Sequence, residues 1–174
     1  MGTQEALVGS GRGQYTLVHD AEIPSLKPDT ILCRVAAVAL NPVDAKMIDL
    51  SATRGSIGGS DFAGEVREVG EQVTRFKIGD RIFAPSFGLN PSEQTDGVFC
   101  EYALATADLA CKIPEWMSYE EASTLGIGIG TAGIAIFQRL GLPWPYAPAK
   151  SPFYVLVSGG ATATGSLAIQ LIKL

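Results

Sequence analysis

Between residues 15 and 113 the hydrophobic positions fall into short runs, each closed by glycine, proline or a polar turn, which predicts strands and not long helices. Tyr15 to Val18 predicts a first short strand, and the Gly/Ser-rich stretch before it predicts a flexible N-terminus over residues 1–14. Lys27-Pro-Asp-Thr30 reads as a turn with proline at its second position, delivering the chain into a strand over Ile31 to Leu40. Alternation through Phe62, Gly64, Val66 and Glu68 is imperfect, because Ala63 and Val69 occupy the other face. Such a strand suits a small curved barrel better than a flat sheet. Phe76 to Phe83 carries a Gly79-Asp80 turn, and Val98 to Ala105 and Ala110 to Ile113 predict further strands, so a compact β domain ends near residue 114.

Helical signals interrupt and follow this pattern. Asn41 can cap a helix, Pro42 suits its first position, and Asp44 complements the dipole of its first turn. Ser118 and Glu121 have capping-box spacing, which predicts a helix or helix pair over Glu121 to Leu140. Gly126, Gly128, Gly130 and Gly133 would each cost about 1 kcal/mol there relative to alanine. That repeated cost predicts either a break or close packing against backbone or ligand. A proline-rich connection, residues 141–150, then leads to the near-continuous apolar run Phe153 to Val157, the pattern of a parallel strand covered on both faces.

Gly159 and Gly160 suit a tight turn after that run, and Ala161, Thr162, Ala163 and Thr164 are small enough to let a phosphate reach the main chain. A helix from about Thr164 would offer its unpaired N–H groups to the same anion. The organisation expected is therefore a flexible segment 1–14, a β domain 15–120, a connecting helix and linker 121–150, and the opening of a dinucleotide-type unit over 151–174. Such a unit needs further strands to hold adenosine, so residues 1–174 alone are expected to be catalytically inactive.

Composition narrows the function classes. The net charge of −5 and the lack of a Lys/Arg run argue against a nucleic-acid surface. No apolar run reaches the roughly 18 residues of a membrane span, and no signal segment opens the chain, so a reduced, cytoplasmic setting is expected. Three cysteines, Cys33, Cys100 and Cys111, have no metal-site spacing, and Cys33 falls in a strand pattern as core. His19 is the only histidine and reads as an incidental strand-end residue, which weakens any Ser/His/Asp or Cys/His proposal. Lys46, early in a short helix directly after a core strand, is either a solvated charge or a site residue.

In this order the pieces resemble the medium-chain dehydrogenase/reductase superfamily, in its zinc-independent, quinone-reductase-like branch. The marks are Asn41-Pro-Val-Asp44, Gly59-Ser-Asp-Phe-Ala-Gly-Glu-Val-Arg-Glu-Val-Gly70, Phe76-Lys-Ile-Gly-Asp-Arg81 and Gly130-Thr-Ala-Gly133. Within the branch, Asn41 to Met47, the proline-rich connection and Val155 to Thr164 look most like the trans-acting enoyl reductases that work beside fungal polyketide synthases. The resemblance implies an α/β chain: a GroES-like β-barrel catalytic domain followed by the first β-α unit of a Rossmann dinucleotide-binding domain. It implies NADPH as cofactor, with the segment Val43, Asp44, Ala45 and Lys46 bordering the nicotinamide and Ala161, Thr162, Ala163 and Thr164 holding the phosphates. Thr131 to Gln138 would line the substrate pocket, and Lys46 and Thr131 would be its catalytic residues. Where zinc-dependent relatives carry a ligand cysteine and a Gly-His-Glu, this chain has Asn41-Pro-Val-Asp44 and Gly59-Ser60-Asp61, so no metal is expected. The implied partners are a polyketide synthase or its acyl carrier domain, and an enoyl thioester as substrate. Two alternatives stay open: an NADPH quinone or alkenal reductase, and an inactive truncated remnant or interaction fragment.

Overall fold

The computed structural model describes residues 2–50 and 53–174, and the chain divides into two compact units, residues 1–126 and 127–174. In the first unit β1 (Thr3–Gly11) and β2 (Gln14–Glu22) form an antiparallel hairpin, and β3 (Thr30–Ala39) leads into α1 (Pro42–Leu50). There follow β4 (Asp61–Val69), β5 (Arg81–Pro85), β6 (Tyr102–Thr106), β7 (Cys111–Lys112) and the one-turn α2 (Tyr119–Ser123). The five later strands make an antiparallel sheet in the order β6-β3-β4-β5-β7, and bridges from Ala6 to Cys100 and Val8 to Ile57 tie the hairpin to neighbouring loops.

The expected flexible N-terminus is corrected: Thr3–Gly11 is a full strand. Its side chains alternate, with Gln4, Ala6 and Val8 buried and Glu5 and Leu7 exposed. The buried Gln4 amide donates to the Glu22 and Tyr102 carbonyls and accepts from the Tyr102 N–H, which pins the strand at its start.

Most of the turns and strands predicted between residues 15 and 113 form, although of Val98 to Ala105 only the part from Tyr102 lies in a strand, β6. The Lys27–Thr30 turn closes through Thr30 N–H to the Lys27 carbonyl and is doubled by the Thr30 hydroxyl. Gly79 takes φ 88°, and the next residue, Asp80, accepts from Lys77 N–H at 3.0 Å and pairs with Lys112 at 2.7 Å. The Lys112 ammonium above all holds that carboxyl below its usual range. Imperfect alternation in β4 has a local cause. Register shifts between Leu32 and Cys33 and between Val35 and Ala37 bend β3 against β4, and Gly64 lies so close to the Arg34 carbonyl that a side chain would strike backbone. One core, built on Ile31, Cys33, Phe62, Val66, Ile82 and Val98, fills this curved sheet.

In the second unit α3 (Gly126–Gly133), starting on the last residue of the first unit, runs on into a π-helical turn, Ile134–Arg139, and α4 (Ala163–Ile172) follows the proline-rich connection. The predicted helix pair is present, with both halves of the Ser118/Glu121 capping box formed and a break at Thr124 and Leu125. Trp144 of the connection stacks on Phe137 with ring centroids 4.5 Å apart, and Tyr146 stacks on Trp144 at 5.9 Å. The expected strand over Phe153 to Val157 is corrected: those residues pair with no strand among the described residues, and Tyr154 and Leu156 are fully exposed. An apolar, β-prone run becomes a strand only when a neighbour takes its backbone hydrogen bonds.

Candidate functional site

The first group of predicted residues sits on α1, directly after β3. Its opening turn is held by polar contacts, one of them fully buried, that sequence patterning did not reveal. Asp44 is buried; its Oδ2 accepts from the Asn41 N–H at 2.7 Å and its Oδ1 from the Ser60 hydroxyl at 2.7 Å. The Asn41 amide in turn donates to Asp61 Oδ2 at 3.0 Å. The expected cap is therefore reversed. The Asp44 side chain reaches back to the Asn41 N–H, and the Asn41 side chain is drawn instead to β4.

Tyr15 completes this corner from β2. Its hydroxyl donates to the Asp44 carbonyl at 3.4 Å, and its ring meets Phe99 edge-on at 6.1 Å. Burial, and then the Asp44 charge, raise the phenol above its usual pKa. Gly58 leaves room for that ring: a Cβ there would fall on it. The only signal for Ser60, Asp61 and Tyr15 was a pair of small polar residues between a glycine turn and an apolar strand, and their partners lie far along the sequence.

Because Asp44 is a buried charge held by donors and not by a cation, Ser60→Ala is expected to cost about 2 kcal/mol in urea unfolding, the worth of a hydrogen bond to a charged group. Ser60→Thr, which keeps a hydroxyl, should recover much of it. A loss under about 0.5 kcal/mol would show that the pair does not hold the turn.

Of the residues expected to border the nicotinamide, all but Asp44 lie on the outside of this frame. Val43, Ala45 and Lys46 are exposed, while Ile48 is buried and seats the helix. The Lys46 ammonium makes no hydrogen bond or ion pair with the described residues.

The second group is the turn before α4. Gly159 takes φ 74°, Thr162 caps the helix by accepting from Gly165 N–H at 3.1 Å, and the same hydroxyl donates to the Gly159 carbonyl at 2.8 Å. Gly165 is packed against that carbonyl so closely that no side chain fits. Ala161, Ala163 and Thr164 are exposed, and among the described residues nothing accepts from their N–H groups.

Thr131 is exposed on α3. Of the four glycines around it, Gly126 is packed against Asp61 and the β5 backbone and Gly128 against Leu167, but a Cβ at Gly130 or Gly133 would meet nothing within 4 Å.

Of the three thiols, Cys111 is exposed and the other two are largely enclosed. Burial pushes the Cys33 and Cys100 thiols up to about 12, so both stay protonated at neutral pH, and Cys33 is core as expected. His19, within β2, contacts Glu5 across the hairpin at 2.7 Å. Among the described residues no group of three His, Cys, Asp or Glu is placed to hold a metal ion, and no helix is long and apolar enough to cross a membrane.

A family model described as alcohol dehydrogenase GroES-like domain matches residues 27–115. A trans-enoyl reductase of Gibberella fujikuroi is 53% identical over 170 residues, covering 98% of this chain and 49% of the relative. Another, from a Penicillium species, is 51% identical over 172 residues, covering 99% of this chain and 49% of the relative. Among solved structures, an alcohol dehydrogenase superfamily protein from Novosphingobium aromaticivorans superposes with a TM-score of 0.83 at 27% identity, over 98% of this chain and 50% of that one. The chain spans about half the length of the curated relatives it matches.

Proposed function

Since the chain belongs to the alcohol dehydrogenase GroES-like family, within the medium-chain dehydrogenase/reductase superfamily, and is similar along its length to trans-enoyl reductases, we propose that it serves NADPH-dependent reduction of the α,β double bond of enoyl thioesters, in trans to a polyketide synthase. The observation that carries this reading is the turn before α4, where the unspent N–H groups of Ala161, Ala163 and Thr164 and the glycine packing at Gly165 suit a phosphate. The residues present thus fit a dinucleotide's phosphates, with Thr162 fixing the turn.

When bound, NADPH supplies the hydride that adds to the β-carbon of the alkene. The chain's own residues deal with binding and charge. Val43, Ala45 and Lys46, exposed at the start of α1, would border the nicotinamide, and Asp44 would serve as the buried anchor of the turn that presents them. Lys46, exposed and without an internal partner, hydrogen-bonds the cofactor or positions the thioester, whose carbonyl gains negative charge as hydride arrives. Thr131 offers a hydroxyl to the substrate from α3, and the bare backbone of Gly130 and Gly133 on either side allows close approach.

The test is turnover of carrier-protein-bound enoyl thioester by this chain joined to the unmatched half of a trans-enoyl reductase relative, with NADPH and a metal chelator present. Turnover unaffected by chelator and faster than that of free quinone is the expected result. Loss of activity on chelation overturns the assignment, and faster turnover of free quinone or alkenal moves the protein to the quinone-reductase reading.

A further inference from the structure

Helix α1 is thinly seated by apolar packing. Of its nine residues only Asp44 and Ile48 are buried, and Ile48 is the one apolar side chain of the two. Apolar burial is non-directional, so a single such contact resists lifting the helix away from its neighbours but leaves it free to turn about that point. The orientation of α1 therefore falls to hydrogen bonds, which are directional.

Two of those bonds come from consecutive residues. Asp61 Oδ2 accepts from the Asn41 amide at 3.0 Å, and the Ser60 hydroxyl donates to Asp44 Oδ1 at 2.7 Å. Asn41 and Asp44 are themselves linked, since the Asn41 N–H donates to Asp44 Oδ2 at 2.7 Å. One tether would act as a swivel, but two from adjacent residues to the two ends of one turn fix its rotation. The anchor is itself held. Asp61 lies on β4, paired with Ala39 of β3 on one side and Pro85 of β5 on the other, and the Ser60 carbonyl accepts from Ser86 N–H at 2.8 Å. Lys46 follows Asp44 by two residues on the same short helix, so the direction in which it leaves α1 is set by these tethers.

We propose that Ser60 and Asp61 are positioning residues for the reaction, orienting Lys46 through Asp44 and Asn41. Ser60 is 6% exposed and Asp61 1%, so both act from beneath the helix and not on substrate. Reacting groups must be held within about 10–20° of their productive geometry, and a misplacement of about 1 Å can cost about a hundredfold in rate. A long, exposed lysine with no internal partner meets that demand only if the helix under it is fixed. The part these two residues play in turnover rests on the reductase reading, while the orienting itself belongs to the first unit alone.

Ser60→Ala removes one tether and Asn41→Ala the other, the second change leaving the backbone N–H bond to Asp44 in place. In the 174-residue chain, residual dipolar couplings of the backbone N–H groups should show α1 turned against β4 by more than about 10–20° in each variant, and returned in Ser60→Thr. In the chain joined to the unmatched half of a trans-enoyl reductase, each variant should lower kcat for the enoyl thioester about tenfold. In a Lys46→Ala background the same changes should lower it by less than about twofold, because the group they orient is gone. A merely structural role would lower turnover equally in both backgrounds. Should Ser60→Ala fail to fold, Asn41→Ala carries both measurements. The proposal is overturned if α1 keeps its orientation, or if the losses from the tether and from Lys46→Ala multiply. A joined chain with no turnover before any substitution defeats the reductase reading instead, and the couplings alone then decide whether Ser60 and Asp61 orient Lys46.

Discussion

Gly97→Ala is expected to lower the stability of residues 1–126 by about 3 kcal/mol, the upper range for forcing extra volume into a packed interior. A Cβ at Gly97 would overlap the Ile57 carbonyl and press on the Gly58 carbonyl oxygen at 2.5 Å. Both oxygens are in use. Ile57 accepts from Leu89 N–H at 2.7 Å, and Gly58 accepts from Val98 and Phe99 N–H at 2.8 and 2.9 Å. Neither neighbour is a flexible side chain that can swing away, so the methyl group must displace backbone that holds the loop after β5 against the loop before β4. Gly130→Ala is the internal comparison: the same added methyl meets open space within a helix, and should stabilise α3 by about 1 kcal/mol. Urea unfolding followed by circular dichroism measures both. Two changes of the same sign would show that close backbone approach does not govern the glycines of this fold.

What the sequence made legible was local. The Lys27–Thr30 turn, the Ser118/Glu121 capping box, the Gly79-Asp80 turn and the start of α1 at Pro42 each depend on residues within a few positions, and each forms. Strand β1 was hidden because its buried face consists of Gln4, Ala6 and Val8, weakly apolar positions among glycines, and its burial is completed by Cys100 and Ile57. The run over Phe153 to Val157 shows the opposite failure: its side chains suit a strand, but strandedness is a relation to a neighbour. Of the candidate site, the turn at Gly159 to Thr164 was readable from residue size and glycine placement. The anchoring of α1 was not, because Asn41 has a strong local preference to cap and a tertiary partner, Asp61, overrides it.

That anchoring also sharpens the expectation for Lys46. In the chain joined to the unmatched half of a trans-enoyl reductase, Lys46→Ala is expected to reduce turnover about a hundredfold, the scale of removing one donor to developing negative charge. Stability should change by no more than about 0.5 kcal/mol, because Lys46 is exposed and holds no internal partner, while Asp44 and Ile48 seat the helix. The split between kinetic constants identifies the role. A fall in kcat with KM unchanged means the ammonium acts on charge that develops as hydride arrives, and a rise in KM at constant kcat means it holds substrate or cofactor equally well throughout. Lys46→Arg keeps the charge on a bulkier, planar group and should recover only part of the loss. Wild-type turnover in Lys46→Ala would return this residue to the solvated surface of α1 and leave Thr131 as the predicted catalytic side chain.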